Sequence, residues 1–390
     1  MKEPKIRFKG FEGKWEESTI GKVTSVNRGV RVTRKNLSDH GLYPVYQNTD
    51  YPMGYYNRYN VESNNPFVII GGSAGLIGFC DKDFWAADDC AYFSDSVKID
   101  KFYLYSMLLN KSSEIKKNVR GSSVPRLDRQ VINDLNISLP SIKEQQSIAS
   151  YFQHLDSLIQ STTKKIESLK QVKAASLQSM FPQEGETTPR VRFKGFEGEW
   201  KKVKFGEIAI ISRGLTYAPF NLRDKGVRVL RSSNINEDVF VISENDVFVN
   251  EECINIEYAE EGNILVTAAN GSPRLVGKHA IINNIGTNTT VVGGFMLLIS
   301  SNESAFLNAS MSSSWYSKFL KVGVAGGNGA IGNLSKQELE DTELLIPNKK
   351  DERNYIASYF TNLDRQITLH TQRLEKLKQI KAACLDKMFV

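Results

Sequence analysis

Two phrases in this chain are each written twice. Arg7-Phe8-Lys9-Gly10-Phe11-Glu12-Gly13, followed by Trp15, returns 185 positions later as Arg192-Phe193-Lys194-Gly195-Phe196-Glu197-Gly198 with Trp200. Ile148-Ala149-Ser150-Tyr151-Phe152, followed by Leu155-Asp156, returns 208 positions later as Ile356-Ala357-Ser358-Tyr359-Phe360 with Leu363-Asp364. Between each opening and closing phrase lies a long stretch, residues 16–140 and 201–346, that is hardly alike in the two copies. Identical frames around unlike contents suggest one scaffold carrying two variable recognition units. A period this long means a duplicated domain, not a solenoid.

The closing phrases open two heptad seams. Ile148, Phe152, Leu155, Ile159, Thr162, Ile166 and Leu169 step alternately by four and three, and Ile356, Phe360, Leu363, Ile367, His370, Leu374 and Leu377 repeat the same steps. That spacing belongs to a helix with a narrow stripe on one face. No Pro or Gly interrupts residues 143–181 or 350–390, and Pro140 and Pro182 bound the first run. The pattern predicts helices of about 38 residues, roughly 57 Å long. Beyond Leu169 the seam drifts through Val172, Ser176 and Met180, where supercoiling is expected to relax. A stripe needs a partner stripe, and two matched stripes in one chain most simply pair antiparallel, with pseudo-two-fold symmetry. Thr162 and His370 stand at the polar centre of each seam, where such residues set register.

Each variable unit opens with β-type runs, Val23 to Arg28 and Val203 to Arg213, that end in Arg28-Gly29 and Arg213-Gly214. Strand-then-polar-loop segments follow at Tyr43–Thr49 and Val227–Asn234. Buried strands at Phe67–Ile70 and Ile264–Val266 then break into small-residue turns. Helical stretches near Phe102–Leu109 and Ala305–Leu320 complete an α+β unit. The expected partition is a recognition domain at 1–140, a long helix at 141–182, a polar linker at 183–190, a second recognition domain at 191–347, and a second long helix at 348–390. The fold class is α+β: two mixed globular domains separated by a pair of long antiparallel coiled-coil helices.

Net charge is only +6. Residues 16–140 hold 15 Lys/Arg against 14 Asp/Glu, and residues 201–346 hold 13 against 16. Neither unit is basic as a whole, but positive charge clusters in the loops, where it can meet phosphates. Loop Arg, Gln, Asn and Ser also match base edges. The candidate DNA contacts are Arg28, Arg31, Arg34, Gln47, Asn48, Arg120 and Arg126 in the first unit. In the second they are Arg213, Arg231, Ser232, Asn234, Asn270 and Arg274.

No set of residues assembles an active site. Asn64-Asn65-Pro66-Phe67 is one residue from the Asn-Pro-Pro-Phe loop of adenine methyltransferases, but no Gly-rich cofactor turn precedes it. Gly71-Gly72-Ser73-Ala74-Gly75 lacks the Lys-Ser/Thr of a phosphate-binding loop. Glu12-Gly13-Lys14 has a nuclease-like spacing that Glu197-Gly198-Glu199 loses. His40, His154, His279 and His370 are scattered, Cys80, Cys90, Cys253 and Cys384 form no ligand spacing, and Asp88-Asp89 reads as a solvated turn. No metal and no cofactor is expected on this chain. Nothing in Met1–Lys5 reads as a secretory signal and no apolar run could span a bilayer, so a cytoplasmic protein without membrane contact is expected. A self-contained methyltransferase or endonuclease, or a structural hub, are the alternatives.

The assembled pattern resembles the specificity (S) subunit of Type I restriction-modification systems, across the whole chain. The residues that carry the resemblance are Gly121-Ser122-Ser123-Val124-Pro125-Arg126-Leu127, then Asp134-Leu135-Asn136-Ile137-Ser138-Leu139-Pro140 running into Glu144-Gln145-Gln146-Ser147-Ile148-Ala149. The second copy departs from it with Gly329-Ala330-Ile331-Gly332-Asn333-Leu334 and Glu352-Arg353-Asn354-Tyr355. The resemblance implies a non-catalytic subunit whose two recognition domains each read one half of an interrupted double-stranded DNA target. It implies helices that set the gap and carry two modification subunits, which bring S-adenosylmethionine and methylate adenine. It also implies restriction subunits that bring ATP and Mg.

Overall fold

The computed structural model describes residues 3–323 and 332–390. The chain gathers into two compact units, Met1–Thr163 with Arg373–Val390, and Lys164–Gln372. The long helices are continuous over Ile142–Met180 and Lys350–Met388, 39 residues each. The division therefore falls inside the helices rather than at the linker 183–190. Each unit holds the opening turns of one helix and the closing turns of the other.

In the first unit, Glu16–Thr19 pairs antiparallel with Asn136–Leu139 and closes the recognition segment on itself. A four-stranded antiparallel sheet has the order Val26–Arg28, Cys90–Phe93, Asn65–Ile69, Ile77–Cys80. Asn65–Ile69 is buried along its whole length, as expected for a central strand covered on both faces. A smaller sheet joins Tyr55–Tyr56, Tyr43–Tyr46 and Trp85–Ala86. Helix Lys101–Asn110 starts at Asp100, whose carboxylate accepts from the Phe102 and Tyr103 amides at 2.9 Å.

The second unit repeats this order. Lys201–Lys204 pairs with Glu343–Ile346, and its antiparallel sheet runs Ile210–Arg213, Met296–Ser300, Ile264–Thr267, His279–Ile281. Corresponding strands keep the same register, with Arg28 opposite Ala91 and Arg213 opposite Leu297. The sequence-based β run from Val203 is broken by a 3-10 turn at Phe205–Glu207. The helical stretch 305–320 is two helices, Ser304–Met311 and Ser314–Gly323. They part at Ser312-Ser313, where the Trp315 indole donates back to Ser310 Oγ at 2.9 Å.

Within each unit the helices run antiparallel. In the first, Tyr151 Oη meets Cys384 Sγ at 3.4 Å, while Asp156, further along, pairs with Lys381, further back. In the second, Lys173 pairs with Asp364 at 2.7 Å and Ser176 meets Tyr359 at 2.8 Å. The seam faces inward throughout. Ile148, Phe152, Leu155, Thr162, Ile166, Leu169, Ile356, Phe360 and Leu363 are buried, and Ile159, Ile367, His370, Leu374 and Leu377 half-buried. Thr162 spends its hydroxyl on its own helix, donating to Leu158 O at 2.6 Å. Beyond Leu169, where the heptad drifts, Met180 and Phe181 plunge into the second unit's core beside Trp200 and Phe306. Met388 and Phe389 do the same in the first unit beside Trp15 and Tyr103. The linker is tied down: Arg190 pairs with Glu186 at 2.9 Å, and the Trp200 amide donates to Thr187 O.

Candidate nucleic-acid interface

The loops at one end of the first unit's sheet collect most of its candidate residues. Strand Val26–Arg28 ends at Gly29, where any side chain would strike the Ala86 and Ala87 carbonyls. The close approach lets Arg28 Nε donate to Asp88 O at 2.7 Å. Past this point an open cavity of about 670 Å³ is lined by Arg31, Thr33, Arg34, Gln47, Asn48 and Tyr51, among others. Four of the sequence-based candidates thus share one concave surface. Arg31, Arg34 and Asn48 are exposed and Gln47 half-buried.

Asn48 leads to the next group. The Gly71-Gly72-Ser73 turn packs on it, with the Ser73 amide donating to Asn48 O at 3.2 Å and Gly72 at a φ of +79°. The Gly72 amide donates to Pro125 O, and Arg120 and Arg126 exchange backbone hydrogen bonds of 2.8 Å. Arg126 Nη1 donates to Asp89 Oδ1 at 2.9 Å. Asp88-Asp89 is therefore not a solvated turn. It holds two arginines, one through a carbonyl and one through a carboxylate, while Asp88 Oδ1 is buried without a hydrogen-bond partner. Sequence reading missed both roles because the partners lie 60 and 37 positions away.

In the second unit Gly214 approaches Gly293 as Gly29 approaches Ala86 and Ala87. The Arg231 side chain passes beside Gly293. Asn270 Nδ2 donates to Ser232 Oγ at 3.0 Å, so these two candidates meet. Arg274 follows on the short turn Pro273–Leu275. Arg213, Arg231 and Arg274 are exposed. Asn234 is a correction. It is 1% exposed, its Oδ1 accepts from the Arg231 amide, and its Nδ2 donates to Val241 O and Asp246 Oδ1. That side chain braces the loop and has no donor left for a base.

Titratable groups near these surfaces belong to the core. Burial pushes the Tyr46 hydroxyl and the Cys80 thiol up, and the two meet at 3.8 Å. Asn65, from the methyltransferase-like tetrapeptide, is buried in the central strand and donates to Phe93 O at 2.9 Å. Among the described residues no His, Cys, Asp or Glu group could hold a metal ion. No helix there is long and apolar enough to cross a membrane. Gly329–Ile331, where the second copy departs from the Arg126 loop, lie outside the described residues.

The family described as the Type I restriction modification DNA specificity domain matches residues 12–171 and again 197–379. The chain belongs to this family. It is 24% identical over 235 residues to the MjaVIII specificity subunit of Methanocaldococcus jannaschii, a match covering 57% of this chain and 55% of that one. It is 23% identical over 180 residues to the EcoDI specificity subunit of Escherichia coli, covering 46% of this chain and 40% of that one. The chain spans about half the length of the curated relatives it matches. The Type I system S subunit of M. genitalium shares the fold of this family member, with a TM-score of 0.77 at 16% identity over 100% of this chain and 99% of that one.

Proposed function

We propose that this chain chooses the DNA target for a methyltransferase and restriction complex and catalyses nothing itself. Recognition domains at 1–140 and 191–347 each read one half of an interrupted duplex site. The helices set the gap and carry two modification subunits, which supply S-adenosylmethionine, and restriction subunits supply ATP and Mg. One observation carries the reading. The same sheet order is built twice, each copy lies within a match to the DNA specificity family, and each presents differently furnished Arg-rich loops. Matched scaffolds with unlike loops call for two unlike half-sites, hence an asymmetric target. Arg31 and Arg34 supply phosphate anchoring, while Gln47, Asn48, Ser232 and Asn270 offer donors and acceptors to base edges.

The test is to express the chain with its methyltransferase partner and map methylated adenines across a genome. A single asymmetric, interrupted motif is expected. Exchanging residues 16–140 for another family member's segment should rewrite one half of that motif and spare the other. A motif rewritten at both halves, or methylation by the chain alone, defeats the proposal.

A further inference from the structure

The Asp89–Arg126 pair has a feature that stability does not explain. Arg126 is 59% exposed and Asp89 19%, and exposed ion pairs contribute little to folding. Yet room has been made for this carboxylate. A Cβ on Gly71 would collide with Asp89 Oδ1, and Gly71 does not have the positive φ that would itself demand glycine.

The second unit supplies the control. In the first, the Ile70 amide donates to Asp89 O at 2.8 Å and the Leu127 amide to Ile70 O at 2.9 Å. In the second, the Ala268 amide donates to Phe295 O at 2.9 Å and the Leu334 amide to Ala268 O at 2.7 Å. Phe295 therefore occupies the place of Asp89, and Ala269 that of Gly71. Where the carboxylate is absent the scaffold accepts a methyl group, and an exposed phenyl ring stands there instead, 71% accessible. The fold needs neither Asp89 nor Gly71; the two are matched to each other.

We infer that Arg126, oriented by Asp89, is the guanine-reading residue of the first recognition unit. Asp89 engages Nη1 alone among the described contacts, which tethers the guanidinium at one corner; no other described hydrogen bond engages Nε or Nη2 of this exposed side chain. The parallel Nε and Nη2 donors on the guanidinium's other edge match guanine O6 and N7 in the major groove. Asp89 is a positioning residue whose charge also disfavours a phosphate at this spot, so the arginine serves a base. This rests on the DNA-reading role proposed above.

The experiment uses the chain with its methyltransferase partner and reads methylated motifs by sequencing. Arg126→Gln should switch one G·C pair of a single half-site toward A·T, since glutamine pairs with adenine N6 and N7, changing preference there roughly tenfold to a hundredfold. Asp89→Asn should relax discrimination at that same pair and leave the other half-site intact. A motif unchanged by Arg126→Gln, or methylation lowered equally at every site, overturns the inference while leaving target choice standing. A wild-type complex that methylates no defined motif fails the DNA-reading role itself.

Discussion

Arg7 closes a two-point fork on Glu144, 137 positions away, with Nε 2.7 Å from Oε1 and Nη2 2.8 Å from Oε2. Nη1 donates to Gly13 O at 2.6 Å and Nη2 also to Glu12 O at 3.1 Å, holding the Arg-Phe-Lys-Gly-Phe-Glu-Gly turn against the start of the first long helix. Arg192 repeats the fork on Glu352 at 2.6 and 2.8 Å, with Nη1 on Gly198 O. The repeated phrase is thus a latch between chain entry and helix entry. Glu144 is 2% exposed, and removing one partner of a buried pair strands the other. Glu144→Ala should cost about 3 kcal/mol, the low end of the range because Arg7 keeps some solvent. A urea midpoint unmoved by the substitution would show the latch to be incidental.

Phe389 lies 5.4 Å from the Tyr103 ring and 5.9 Å from Phe152, so the residue just past the second long helix completes the core of the first unit. Phe181 does the same for the second unit, 5.9 Å from Trp200 and 5.8 Å from Phe360. Truncating a buried Phe costs about 3–5 kcal/mol. Phe389→Ala should therefore speed hydrogen exchange in Lys101–Asn110 and leave Ser304–Met311 protected, and Phe181→Ala should do the reverse. Equal loosening of both helices by either variant would contradict the exchanged helix ends.

These two relationships mark how far the sequence could be read. Heptad steps and repeated phrases are periodic, so they gave the long helices, the inward seam and the duplicated scaffold. The matched endings Lys173–Phe181 and Lys381–Phe389 were also present in the sequence. They lie where the seam drifts off its heptad, and so carried no periodic signal of a core. Asn234 looked like a reader because a polar residue after a strand is usually exposed. Its burial depends on Asp246 and Val241, residues that no spacing rule ties to it. Asp89 read as part of a solvated turn for the same reason, since Arg126 arrives from another loop.

The burial of His279 predicts that the second unit loses stability in acid. Its Nδ1 lies 2.9 Å from Asn308 Oδ1 and its ring packs edge-on to Tyr316. Burial disfavours the charged imidazole and lowers its pKa below the ordinary 6.5, against the opposing pull of Asn308. The unfolded chain takes up this proton near 6.5 and the folded chain resists it. The group's contribution is complete above 6.5 and is lost as pH falls from there toward the depressed folded value. Between about pH 7.5 and 5.5 the full chain should lose more thermal stability than its His279→Gln variant. Parallel losses would assign the acid sensitivity elsewhere.

Arg31 and Arg34 share a concave, solvent-open surface with Thr33, Gln47, Asn48 and a single carboxylate, Asp39, so its charge stays net positive, and on the proposed function the two arginines anchor phosphates. Arg34→Ala should weaken binding of the assembled complex to every duplex alike and reduce the slope of log K against log salt by about one. Altered sequence preference with an unchanged slope would make Arg34 a reader instead.

The helices offer the sharpest test of gap setting. Seven residues of helix carry about 10.5 Å of rise, close to 3 base pairs at 3.4 Å per step. A heptad removed from one helix alone leaves its seam facing inward but slips it against an unshortened partner, breaking either the Asp156–Lys381 or the Lys173–Asp364 pairing. Removing seven residues from both helices, at 157–163 and 366–372, preserves both pairs. The single deletion should therefore lose methylation, whereas the double deletion should recover it on a target whose gap is about 3 base pairs shorter. Recovery at the original gap would mean that the separation of half-sites is set by the partner subunits and not by this chain.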